Sequence, residues 1–128
     1  TAYEITRWLE FRRVLFRSGV VYNANYLIWL ERARSEWLEQ KGLSHLKLRE
    51  DFNCALVLYE TKINFRKSAM LGDELIVHTE LKEHNFLKFN FYQKIINKNA
   101  ETILCEATSC VVAIDQEKHK PKKIEINL

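Results

Sequence analysis

The run from Gly19 to Leu38, GVVYNANYLIWLERARSEWL, constrains the fold of this chain more than any other segment. It begins at a glycine-marked turn and continues with apolar residues at helical spacing: Tyr26, Leu30, Ala33 and Trp37, with Trp29 on the same flank. This pattern predicts an amphipathic helix over 24–40 that ends at Gly42. Because the first N–H groups of a helix lack intrahelical acceptors, a helix start facing a cleft can polarise a carbonyl group.

After the helix, the apolar period of the sequence changes from 3.6 to 2. A short second helix over 43–50 is expected to begin at Ser44. The alternating segments predict four strands, at 54–67, 74–83, 87–95 and 102–114. Alternate residues from Ala55 to Phe65 are expected to share one face of the first strand, and the last strand, apolar on nearly both faces, is expected to be central. One long helix followed by an antiparallel meander predicts an α+β domain whose sheet wraps around the helix.

Length and charge limit the classes of protein that this chain can belong to. Its 128 residues, 47% of them hydrophobic, are enough for one domain over 1–128 with a real core. Residues 1–18 hold four arginines and two glutamates, a local charge of +2 out of the total of +3, so the remaining sequence is nearly neutral. We therefore expect no nucleic-acid partner.

Targeting and cysteine signals favour a cytoplasmic protein. No apolar run approaches eighteen residues and the N-terminus lacks a secretory pattern, so we expect no stable membrane insertion. Cys54, Cys105 and Cys110 lack C-x-x-C spacing and are interpreted as reduced thiols packed in the core.

Familiar metal and cofactor motifs are missing from the sequence. The four histidines show no metal-ligand spacing: His45, His78, His84 and His119. The three glycines are not grouped, and no G-x-S-x-G elbow is present. We expect neither a metal nor a cofactor.

A single sheet also leaves its edges uncovered, which predicts a homodimer or a homotetramer formed by edge pairing.

Four segments carry a resemblance to a known family: the opening run together with ETKINFRKSAMLGDEL, YQKIIN and CEATSCVVAID. They resemble the hotdog-fold acyl-CoA thioesterases of the 4-hydroxybenzoyl-CoA thioesterase type, above all the bacterial Tol-Pal-associated acyl-CoA thioesterases. The resemblance covers roughly 19–124. It implies one hotdog domain, a sheet wrapped around a long central helix, that hydrolyses an acyl-CoA thioester to a free acid and CoA.

The resemblance also implies a catalytic pair, of which this chain has one member. In the family an aspartate lies three residues before the turn glycine and acts as nucleophile or general base, while a backbone N–H at the helix start polarises the thioester carbonyl. These positions map onto Phe16 and Asn23. A phenyl ring can neither attack a carbonyl nor accept a proton from water. Hydrolysis by this chain is therefore expected to be impaired, and the alternative is a non-catalytic hotdog module that binds acyl-CoA or a protein partner.

Two explanations account for Phe16. Either the chain is a degenerate relative, or residues before about Gly19 are foreign sequence joined to an intact family body, and we favour the second because the resemblance stops abruptly there. The V-R-x-x-Y-x-D-T-D pattern of the family is missing from 1–18. Glu10 and Glu31 are the nearest carboxylates. Glu31 is interpreted as ordering the helix through Arg34 or buried backbone groups, with a catalytic role as the alternative.

Further residues are candidates for contacts with the substrate. Tyr22 and Asn25 could line an acyl pocket, although Asn25 or Asn23 could equally be a simple N-cap. Ser68 is expected near the cleft, with a plain loop residue as the alternative. Three basic residues could meet CoA phosphates or be solvated charges at strand edges: Arg66, Lys67 and Lys88.

Overall fold

The structure, a computed structural model, describes residues 2–4, 24–70, 72–126 and 128. The helices are α1 (Ala24–Gln40) and α2 (His45–Phe52). The strands are β1 (Ala2–Glu4), β2 (Cys54–Phe65), β3 (Leu75–His84), β4 (Lys88–Asn97) and β5 (Thr102–Asp115). The strands form one antiparallel sheet in the order β1-β3-β4-β5-β2.

Helix α1 has the predicted bounds and buries the predicted stripe against the inner face of the sheet. Tyr26, Trp29, Leu30, Ala33 and Trp37 are all buried. The Trp37 ring meets Phe91 of β4 edge-on at 5.4 Å between centroids. Burying each large side chain contributes about 1.5–3 kcal/mol, so this stripe fixes the helix in the concavity of the sheet.

The turn after α1 and the start of α2 follow from local chemistry. Gly42 has a φ of +80°, the left-handed conformation that ends a helix and that glycine adopts without strain. Ser44 is the N-cap of α2, and its hydroxyl accepts the N–H of Lys47 at 3.1 Å. The predicted start is thus confirmed. The helix continues to Phe52, two residues beyond the predicted end, and Asn53 caps it with a φ of +52°.

Strand β2 contains a bulge that the sequence pattern did not predict. Leu58 lies opposite Val111 and Glu60 opposite Cys110, so Tyr59 is the extra residue. An extra residue reverses which side chains face the core, because side chains alternate along a strand. The predicted single face from Ala55 to Phe65 is therefore wrong. Tyr59 is 67% exposed.

Strands β3 and β4 show the predicted alternation of buried and exposed residues, but β5 does not occupy its predicted place in the strand order. Buried residues alternate along β3 and β4, as expected for strands with one solvated face. The middle strand of the sheet is β4, and β5 lies between β4 and β2, so the prediction of a central last strand is wrong. The meander holds only for β3 to β5, because β2 pairs on the far side of β5 and residues 66–74 connect β2, at one edge, to β3 on the other side of β4.

Neither helix of the described part of the chain is long and apolar enough to cross a membrane.

Candidate functional site

The first turn of α1 is tied to the crossing segment 66–74 through a buried tyrosine. The hydroxyl oxygen of Tyr26 accepts the N–H of Ala69 at 2.7 Å, and both residues are buried. The Tyr26 ring meets Trp29 and Phe65 edge-on, with centroids 5.3 and 5.4 Å away. Burial raises the pKa of the Tyr26 hydroxyl, opposed by the Ala69 N–H. The phenol is therefore neutral at physiological pH and acts here as an acceptor.

The start of the segment is bonded to β5, and a local turn closes near its far end. The N–H groups of Arg66 and Lys67 donate to the carbonyl oxygen of Leu104 at 2.8 and 3.1 Å. At the other end, the Met70 N–H donates to Oδ2 of Asp73 at 2.8 Å, and the Asp73 N–H donates to the Met70 carbonyl oxygen at 3.1 Å. The bonds to Leu104 fix the start of the segment to β5, and the bond between Ala69 and Tyr26 fixes its middle to α1.

Ser68 lies between those bonds, next to the residue that Tyr26 binds. Its side chain is exposed. The place of Ser68 near the cleft, with a plain loop residue as the alternative, stays a prediction.

Four of the sequence candidates lie at or before the start of α1. Asn25 is the second residue of the helix and is half-buried, so it lies within the first turn and not at the N-cap position. Phe16, Tyr22 and Asn23 lie outside the described residues, and their predicted roles stay predictions.

The three predicted phosphate contacts do not form one cluster. Arg66 pairs with Glu106 at 3.1 Å and stays more than half exposed, and Lys67 is exposed beside it. Lys88 lies over the Tyr59 ring at 5.4 Å. Along β5, Phe65 pairs with Cys105 and Lys88 with Val112. Seven residues separate those two β5 positions, roughly 23 Å of strand, so Lys88 is far from Arg66 and Lys67 within one chain.

A groove of about 350 Å³ runs between α1 and the inner face of β2 and β5. Its walls are mainly apolar: Leu27, Ile28, Leu38, Leu56, Leu58 and Val111. Its polar lining includes Glu31, Arg34 and Thr61. Leu27 and Ile28 are 43% and 47% exposed, so two adjacent apolar residues lie on the exposed face of α1, which elsewhere carries polar and charged side chains.

Arg34 is a buried cation held by neutral groups. Its Nη1 donates to Gln93 Oε1 at 3.0 Å and to Ser109 Oγ at 3.4 Å. Gln93, fully buried, donates from Nε2 to the Leu30 carbonyl oxygen at 2.9 Å and to Thr79 Oγ1 at 3.0 Å. Burial lowers the pKa of Arg34, and the charge of Glu31 opposes that change.

Sequence reasoning missed this polar network. Thr61 and Ser109 extend it, with 2.8 Å between their hydroxyl oxygens. Gln93 occupies an inward position in the β4 alternation, between Phe91 and Ile95, and a polar residue at such a position is the signal that could have revealed it.

Two of the three cysteines are poor candidates for a nucleophile. Burial raises the pKa of the Cys105 thiol to about 11 and also raises the pKa of Cys54. Both thiols therefore stay protonated at neutral pH, and a thiol is a much weaker nucleophile than a thiolate. Among the residues that the structure describes, no three His, Cys, Asp or Glu side chains are grouped so that they could hold a metal ion.

Comparison with known proteins identifies the family. Residues 14–126 match the thioesterase-like superfamily. The chain is 34% identical over 106 residues to the acyl-CoA thioester hydrolase YbgC of Escherichia coli O6:H1, an alignment covering 83% of this chain and 78% of that protein.

Two solved structures share the fold. The crystal structure of Slr0204, a 1,4-dihydroxy-2-naphthoyl-CoA thioesterase from Synechocystis, superposes with a TM-score of 0.84 at 23% identity, covering 97% of this chain and 88% of the other. SAV2348 from Staphylococcus aureus, solved in complex with CoA, superposes with a TM-score of 0.86 at 17% identity, covering 97% and 75% of the two chains. The predicted hotdog fold and family are confirmed. The chain belongs to the thioesterase-like superfamily.

Proposed function

We propose that this chain is an acyl-CoA thioester hydrolase whose hydrolytic step is impaired by Phe16. The observation that carries the proposal is the hotdog scaffold, on which the crossing segment is bonded to the first turn of α1 through Tyr26 and Ala69. The matching relative YbgC is named an acyl-CoA thioester hydrolase, and SAV2348, which shares the fold, was solved with CoA.

In the proposed mechanism the backbone N–H of Asn23 donates to the thioester carbonyl oxygen and stabilises the negative charge that develops there. An aspartate at position 16 would attack the carbonyl carbon, giving an acyl-aspartate anhydride that water then hydrolyses to the free acid, or it would take a proton from a water that attacks the same carbon. In both cases the C–S bond would break and CoA would leave as a thiolate. Phe16 cannot perform either step. The reaction consumes water and the thioester, so no cofactor is part of the proposal.

Substrate contacts follow from where the candidates lie. Tyr22 and Asn25 would border the acyl group at the start of α1, and Ser68, exposed next to Ala69, would contact the substrate from the segment that Tyr26 binds. Arg66 and Lys67, exposed next to that segment, would meet CoA phosphates, which suit guanidinium and ammonium groups. The cytoplasmic location and the absence of a nucleic-acid partner stay predictions.

A second function is favoured by one observation, the loss of the carboxylate at position 16. Without a group to activate water, the same scaffold would act as a binding module for acyl-CoA or for a protein partner. The two functions differ in turnover: a hydrolase releases free CoA thiol, whereas a binding module retains the intact ester.

Thiol release from a panel of acetyl-CoA, decanoyl-CoA and benzoyl-CoA tests whether hydrolysis is impaired in the unaltered chain, and the same measurement on a Phe16→Asp variant distinguishes the two functions. We expect the unaltered chain to release CoA from the panel at a rate close to that of the buffer alone. Rapid turnover, at the rate of an intact thioesterase, would show that Phe16 does not impair the enzyme and that another group supplies the base.

We further propose that the chain forms a homodimer through the edge strand β2 and the groove beside it. Strand β2 is twelve residues long and pairs with β5 on one side, and it exposes Val57, Leu58 and Tyr59. The half-exposed Leu27 and Ile28 of α1 lie in the adjoining groove. A second copy of the chain related by a twofold axis would pair with the edge and cover this apolar surface, because a twofold interface uses the same patch on both copies.

Replacing Ile28 with lysine should convert the dimer into a monomer, because the new charge would be buried against the partner copy. Light scattering coupled to size exclusion should then give a mass near the chain value of 15.3 kDa, compared with about twice that value before substitution. Leu46→Lys is the matched control, since Leu46 is also exposed but lies on α2. An unaltered chain that is monomeric, or an Ile28→Lys dimer, would contradict this interface, and a fourfold mass would indicate the tetramer.

A further inference from the structure

Tyr26 occupies a place in the site that the family resemblance does not assign. Its hydroxyl joins two parts of the chain that are 43 residues apart, the first turn of α1 and the crossing segment 66–74. The segment carries Arg66, Lys67 and Ser68, which are the candidates for substrate contact in this part of the structure. Whatever holds this segment therefore also sets the position of those side chains relative to the start of the helix.

The Tyr26 hydroxyl is itself rigidly placed. The residue is 1% exposed, and its ring is enclosed edge-on by Trp29 on one side and Phe65 on another. A ring packed in this way cannot rotate out without opening the core. The packing of the ring therefore fixes the position of the hydroxyl oxygen to which the segment is bonded.

The bond also orients one peptide unit. The N–H that Tyr26 accepts belongs to the peptide between Ser68 and Ala69, and the described residues contain no cis peptide bond. In a trans peptide the N–H and C=O groups point in opposite directions, so the Ser68 carbonyl is directed away from the Tyr26 hydroxyl. Ala69 is fully buried, so its N–H has no access to water as a replacement acceptor.

We infer that Tyr26 is a positioning residue, whose hydroxyl holds residues 66–70 against the first turn of α1 and so aligns the acyl-CoA site. This inference rests on the proposed function, since it concerns the placement of the same site. Removing the hydroxyl leaves a buried N–H without an acceptor, and the segment moves to satisfy it. Small displacements of groups that hold a substrate weaken its binding and its alignment.

Tyr26→Phe tests the inference, because it removes the hydroxyl and keeps the ring contacts. Titration calorimetry of the full chain with the three CoA esters should show affinity about tenfold weaker than that of the unaltered chain, the effect of roughly one lost buried hydrogen bond. Amide hydrogen exchange should accelerate about tenfold or more at Ala69 while staying unchanged at Val77, in the core of β3. Tyr59→Phe is the matched control, since this tyrosine is 67% exposed on β2 and keeps its ring contact with Lys88 after the substitution, and it should change neither quantity.

The outcomes separate the inference from the proposed function. If the unaltered chain binds none of the esters, the proposed function fails, and the inference fails with it. If the unaltered chain binds and Tyr26→Phe binds equally well, the positioning role alone is overturned, even where exchange at Ala69 is faster. If amide hydrogen exchange accelerates equally at Ala69 and Val77, the substitution has destabilised the whole domain, and the positioning role is also overturned.

Discussion

Replacing Phe16 with aspartate is expected to raise the rate of thiol release from acyl-CoA by about 10²-fold or more, the scale of an added general base or nucleophile. The helix start already supplies a donor for the carbonyl oxygen in the proposed mechanism, so the carboxylate is the missing half. The measurement is release of free CoA thiol from the acetyl-, decanoyl- and benzoyl-CoA panel, with the unaltered chain and the variant at equal concentration.

Phe16→Asn is the control for this prediction. An amide has nearly the shape of the carboxylate but neither accepts a proton from water at neutral pH nor attacks a carbonyl readily. We expect Phe16→Asn to remain as slow as the unaltered chain. Equal activity of the two variants would mean that removal of the phenyl ring, and not the added carboxylate, raises the rate. A Phe16→Asp chain that binds the esters but does not hydrolyse them would favour the binding module.

The second large effect is expected on stability, from Gln93→Leu in the network beneath α1. Gln93 accepts from Arg34 and donates to the Leu30 carbonyl oxygen and to Thr79, all at 3.0 Å or less. Leucine removes these bonds, and the buried guanidinium of Arg34 loses its 3.0 Å hydrogen bond to the Gln93 oxygen. The free energy of unfolding should fall by about 3 kcal/mol, measured by urea denaturation.

A double variant checks the cause of that loss. Removing both the cation and its acceptor, in Arg34→Met with Gln93→Leu, leaves no uncompensated charge. The loss in the double variant should be smaller than the sum of the two single losses by at least about 1 kcal/mol, since the residues are in contact. Strict additivity would show that the two side chains contribute independently and that the hydrogen bond is not the source of the effect.

The sequence alone predicted α1 to the residue, because five apolar side chains at helical spacing and a terminal glycine all indicate the same helix. The alternation in β3 and β4 was equally informative, since each of these strands has one solvated face. The start of α2 followed from Ser44, whose hydroxyl caps the helix whatever the rest of the fold.

The features that sequence reasoning missed depend on contacts between distant parts of the chain. The bulge at Tyr59 exists only relative to the register with β5, which alternation within β2 cannot reveal. The apolar residues of β5 indicate an interior strand, but they do not determine which strands lie on its two sides, so its position between β4 and the edge strand β2 could not be predicted. The bond from Ala69 to Tyr26 joins residues with no local signal between them, so it could be recognised only in the folded chain.

Titration calorimetry of the unaltered chain with acetyl-CoA, decanoyl-CoA and benzoyl-CoA tests the central claim most directly, because binding does not require the carboxylate missing at position 16. The claim is that this hotdog domain retains an acyl-CoA site at the start of α1. It predicts saturable binding of at least one ester, with about one site per chain. No detectable binding of any of the three esters would contradict it.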